Sequence, residues 1–140
     1  MFLFLPSFIF TFITFFLYFS QLTRKPSPSA SYLPAIPDAP STPEITGVTR
    51  ESITVAWKEP KSDGGSHVFG YHLQMKDRNS ILWQRVNKMV IRATHFKVTN
   101  INAGLIYEFK VAAENAAGNS AFSKSSDAVL AIDACGEWNI

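Results

Sequence analysis

From Glu44 onward the apolar residues recur every second position. Ile53, Val55 and Trp57 alternate with Ser52, Thr54, Ala56 and Lys58. Tyr71, Leu73 and Met75 alternate with His72, Gln74 and Lys76, and Phe96 and Val98 with His95, Lys97 and Thr99. The longest run sets Tyr107, Phe109, Val111 and Ala113 against Glu108, Lys110, Ala112 and Glu114. A period of two, with β-branched and aromatic residues in phase, predicts strands with one buried face. Weaker strands fit at 45–50, 82–87 and 128–132. No stretch sustains the 3.6-residue period of a helix.

Turn signals separate these runs. Residues 60–65 read Pro-Lys-Ser-Asp-Gly-Gly, with glycines free to take positive φ. Asp77 to Ser80, Asn100 to Gly104 and Asn115 to Asn119 are polar turns. About seven short strands in one body predict an all-β, immunoglobulin-like sandwich. In-phase placement assigns Trp57, Tyr71, Leu73, Phe96, Tyr107, Phe109 and Val111 to its core.

The first part of the chain follows another pattern. Sixteen of residues 1–22 are apolar, and no charged side chain precedes Arg24. Eight of the 12 Phe lie between Phe2 and Phe19. Three readings compete for this leader. Its length suits a bilayer span of ~20 residues, and Arg24-Lys25 would then hold the body in the cytoplasm. A signal peptide would carry a charged n-region and small residues at its cleavage site, and neither is present. The third reading is translated non-coding sequence. Phe, Leu, Ser and Pro, the residues of all-pyrimidine codons, fill 22 of the first 34 positions. Residues 23–37 are a Pro/Ser-rich linker of extended character. Residues 38–134 form the β domain, and 135–140 a short tail.

Composition narrows the chemistry. The net charge is +2 and the pI about 8.8, but residues 38–136 hold eleven Lys/Arg against ten Asp/Glu. This is no clustered basic footprint, so nucleic acid is not an expected partner. The single cysteine, Cys135, excludes an intrachain disulfide and suits a reducing compartment. His67, His72 and His95 fall at a loop border and on polar strand phases, and read as solvated surface groups. They lack the close spacing of a zinc site. Asp63-Gly64-Gly65 has neither the Lys-Ser/Thr of a P-loop nor the spaced carboxylates of an EF-hand, and reads as a tight turn. No catalytic, metal-binding or cofactor-binding residue emerges, so an enzyme is not expected.

Several segments together carry a resemblance. Trp57, Gly70-Tyr71 and Tyr107-Glu108-Phe109-Lys110-Val111 resemble the strands of a fibronectin type III domain, from about residue 37 to 134. Ile101 stands where that family places the apolar residue of its tyrosine corner, which implies a place in the core for Ile101 and a bond from the Tyr107 hydroxyl to nearby backbone. Pro60 to Ser66, Trp83 to Asn87, Ala113 to Gly118 and Pro40 to Thr49 are similar to domains of the titin family, including twitchin and myosin-binding protein C. That resemblance implies a structural, protein-binding module of a sarcomeric A-band scaffold, serving thick-filament organisation and elasticity. Its implied partners are myosin, myosin-binding protein C and neighbouring fibronectin and immunoglobulin domains. A membrane-anchored adhesion or receptor fragment is the alternative, and requires a genuine leader. The expected protein-binding surface comprises Lys61, Asp63, Trp83, Arg85, Asn115 and Asn119.

Overall fold

The computed structural model describes residues 33–134; the leader, most of the linker and the tail with Cys135 lie outside the described residues. Eight strands follow in order: β1 Glu44–Val48, β2 Ile53–Ala56, β3 Gly70–Asp77, β4 Gln84–Arg85, β5 His95–Val98, β6 Ile106–Asn115, β7 Gly118–Asn119 and β8 Val129–Leu130. They form two antiparallel sheets. One has the order β1-β2-β5; the other runs β4-β3-β6-β7, with β8 also paired to β6. The fold is an all-β sandwich.

The alternating residues place the core. Ile53, Val55 and Val98 of the smaller sheet face Leu73, Phe109 and Val111 of the larger, all with no exposed surface. Trp57, Tyr71 and Tyr107 are buried among them, and the rings of Trp57 and Tyr71 meet edge-on at 5.5 Å. Burial, reinforced by the charge of Glu59, pushes the Tyr71 phenol above its ordinary pKa. Phe96 and Ile101 pack against this cluster from its rim and remain half-exposed. Phe96 lies on β5, an edge strand, and Ile101 in the loop beyond it, so one flank of each stays open.

The last strand departs from the sequence expectation. It is split into β7 and β8, and the segment between them binds β6 with a different period. The amides of Ser120, Ser123 and Ser126 donate to the carbonyls of Ala113, Val111 and Phe109 at 2.7–2.8 Å. In return the amides of Ala113, Val111 and Phe109 donate to the three serine hydroxyls at 2.9–3.1 Å. Each hydroxyl then donates to the next residue's carbonyl at 2.8–3.0 Å. Three residues thus face two of β6. Two strand residues advance ~6.8 Å, so the serine segment rises only ~2.3 Å per residue, too compact for a strand. In this conformation the serine side chain supplies the acceptor that a strand's backbone would have offered. A period of three escapes a search for a period of two.

Two further polar side chains replace backbone partners. Asn87 lies beside β3, where its Oδ1 accepts from the Leu73 amide at 2.8 Å and its Nδ2 donates to the carbonyls of Tyr71 and Met89. It thereby continues the edge that β4 covers for only two residues, where a strand over 82–87 was expected. Asn115, expected on the binding surface, is instead fully buried. Its Nδ2 donates to the carbonyls of Ala35 and Asp63, both at 2.7 Å, and to Ser66 at 3.4 Å. Its Oδ1 accepts from the amides of Ala117 and Gly118. A side chain carrying this many bonds between loops cannot also face solvent.

Asn115 thus ties the β6–β7 turn to the β2–β3 loop and to Ala35. Residues 34–37, which read as linker, are fastened to the same loop: the Ala35 amide donates to Gly64 and the Asp38 amide to Ser62, both at 2.9 Å. Gly64 has a φ of 74°, and a Cβ there would overlap the Ala35 carbonyl. At the opposite pole the Tyr107 hydroxyl accepts from the Asn102 amide at 2.8 Å, holding the β5–β6 loop down.

Two substitutions test these ties. Tyr107→Phe removes one hydroxyl acceptor and is expected to cost about 1 kcal/mol with the fold retained, read as a shift of the urea midpoint. Asn115→Asp keeps the shape but replaces the Nδ2 donor with a carboxylate oxygen that faces the carbonyls of Ala35 and Asp63; it is expected to cost at least about 3 kcal/mol in the same assay.

Candidate protein-binding surface

The residues expected to bind partners divide between two places. Lys61 and Asp63 are exposed on the β2–β3 loop and Asn119 on β7, around the Asn115 hub. Asp63 is partly engaged, since its Oδ1 accepts from the Gly65 amide at 2.9 Å and stiffens the turn. Trp83 and Arg85 lie elsewhere, on the outer face of the larger sheet. Asn115 contributes only by supporting the first group from beneath.

The outer face is built by the polar phase of β3 and β6. In the register, Gln74 stands opposite Arg85 on one side and Lys110 on the other, so the three form one row across three strands. With strands ~4.8 Å apart, the backbones of Arg85 and Lys110 are separated by ~10 Å. Lys76 and Glu108 face each other one step along and pair at 3.6 Å. On the other side of this row, His72 Nε2 lies 2.6 Å from Glu114 Oε2, and Arg85 Nη2 lies 2.9 Å from His72 Nδ1. A guanidinium can only donate, so Nδ1 accepts and Nε2 carries the proton given to Glu114. His72, expected to be a solvated group, is therefore held between two partners and largely covered.

Aromatic rings complete this face. The Lys110 ammonium lies 4.3 Å from the centre of the Trp83 ring and 4.7 Å from that of Phe122. Lys76 approaches the same indole at 5.4 Å. These are cation–π distances, and they fix a side chain that would otherwise sample many rotamers. Trp83 is half-buried and Phe122 is 38% exposed. The sequence singles out Trp83 and Arg85 but neither Lys110 nor Phe122. The meeting of Lys110 with Trp83 is set by cross-strand register, which no local pattern reports.

Among the described residues no group of three or more His, Cys, Asp and Glu is placed to hold a metal ion. No described helix is long and apolar enough to cross a membrane. What the geometry offers is a rigid sheet face with fixed charges and partly exposed rings.

Comparison with known proteins agrees with this architecture. The family model for the fibronectin type III domain matches residues 38–129. The chain is 38% identical over 102 residues to cardiac-type myosin-binding protein C of Mus musculus, covering 73% of this chain and 8% of that protein. Among solved structures it is similar to titin domains A168–A170, with a TM-score of 0.68 and 32% identity over 71% of this chain and 34% of that one. Titin module A71 from human cardiac muscle matches with a TM-score of 0.65 and 31% identity, over 70% of this chain and 95% of the module. The chain thus spans only a small part of the myosin-binding protein but nearly the whole of a single titin module. With its paired sheets, its Trp57–Tyr71 core and its Tyr107 corner, the chain belongs to the fibronectin type III family.

Proposed function

We propose that this chain supplies a structural and protein-binding module, without chemistry of its own, to a sarcomeric scaffold. The observation that carries the reading is its kinship to muscle proteins: 38% identity to a protein named for binding myosin, and 31–32% to titin modules. In this role the sandwich is a rigid spacer between neighbouring fibronectin or immunoglobulin domains of a longer chain. It contributes to thick-filament organisation and elasticity in the A-band. Thick-filament proteins such as myosin and myosin-binding protein C are its partners. The two loop-and-sheet surfaces described above provide places for contact that do not disturb the core.

The test is the position of the full chain, fluorescently tagged, in striated muscle cells. Stripes coincident with myosin, and recovery in the myofibrillar pellet, are expected. Recovery in the membrane fraction, or diffuse fluorescence with no banding, overturns the proposal.

A further inference from the structure

We propose that the outer face of the larger sheet docks an acidic, partly apolar segment of a partner protein, across the row Arg85–Gln74–Lys110 and the rings of Trp83 and Phe122. This deepens the reading above and rests on the module being a protein-binding unit. Lys76 has a carboxylate partner in Glu108 at 3.6 Å, and Glu114 is taken by His72 at 2.6 Å. Among the described residues, Lys110 and Arg85 pair with no carboxylate: one rests on two rings, the other on an imidazole nitrogen. Both cations therefore keep donors for an incoming group.

Their placement matches an extended or helical acidic segment. The ~10 Å between the two backbones, bridged by Gln74, gives two points of charge contact with a neutral hydrogen-bonding group between them. The rings supply the apolar part. Aromatic and arginine side chains are the usual anchors of protein interfaces, and here they stand on one face. Ile81 and Leu82 in the adjoining β3–β4 turn are 91% and 69% exposed and extend the apolar margin. Packing against two rings also restricts Lys110 before any partner arrives, which lowers the entropy lost on binding.

The same features disfavour a nucleic-acid ligand. Glu108 and Glu114 sit on this face and would repel a continuous phosphate backbone, whereas a protein segment can place its few carboxylates over Arg85 and Lys110 alone.

The experiment titrates the full chain into a fluorescein-labelled peptide of alternating Glu and Leu, about twelve residues long, which reaches ~40 Å when extended. Matched arms use an alternating Lys–Leu peptide and a single-stranded oligothymidine. Binding of the Glu–Leu peptide is expected, weakening on addition of salt, with no binding of the Lys–Leu peptide. Trp83→Ala and Lys110→Gln should each weaken it about five- to tenfold, since interface anchors cost more than 1 kcal/mol on truncation. Arg85→Gln, an exposed change that spares the rings, should act in the same direction. Lys97→Gln on the smaller sheet should leave binding within about twofold. Thermal melts by circular dichroism separate loss of the face from loss of the fold. No binding of the acidic peptide, equal effects of all four substitutions, or tighter binding of the oligothymidine overturns the inference. If the peptide fails while the tagged chain still bands with myosin, this face is wrong and the sarcomeric reading survives. If the peptide binds while the chain goes to membranes, the reverse holds.

Discussion

Strand β6 is buried along most of its ten residues, so almost every amide and carbonyl on it must find a partner inside the protein. The surrounding structure follows from how that demand is met. One edge is satisfied by β3 over eight consecutive residue pairs. The other is met by β7 at one end, by β8 at the other, and by serine side chains between them. The side chains at the strand's two ends then pin the loops: Tyr107 the β5–β6 loop, Asn115 the β2–β3 loop and Ala35. An unpaired buried amide costs roughly 1–3 kcal/mol, comparable with a good part of a typical domain's stability. Hydroxyl and amide side chains at these points are therefore as necessary as the apolar core.

How much of this was legible in the sequence depended on which residue types carried it. The sheets announced themselves because Ile53, Val55, Tyr71, Leu73, Phe109 and Val111 repeat at the strand period. Their burial follows directly from that phase. The Gly64-Gly65 turn was legible for a similar reason, since both residues take a positive φ that few others tolerate. Asn87, Asn115 and the three serines were not, because residue type alone marks them as surface groups. Their burial is meaningful only once it is known which backbone groups lack partners. The same limit applied to the candidate surface. Trp83 and Arg85 are neighbours in sequence, but Lys110 joins them only through the register of β3 with β4 and β6.

The two faces of the larger sheet are held by different interactions. One phase of β3 and β6 is spent on the core. The other phase is held by ion pairs and ring contacts on a flat outer face. A side chain such as Lys110 can be exchanged there without opening the interior. Fixing residues 35–38 to the Gly64 loop has a related consequence: the chain enters the sandwich along a defined path, with bonded contacts in place of a free hinge.

Serine hydroxyls complete the hydrogen bonding of β6. Native-state amide hydrogen exchange, residue by residue, in the parent chain and in a Ser123→Ala variant tests it most directly. In the variant the Val111 amide should lose protection selectively, while Phe109 and Ala113, served by Ser126 and Ser120, remain slow. A Val111 amide as protected in the variant as in the parent, or a uniform loss across the sheet, would contradict it.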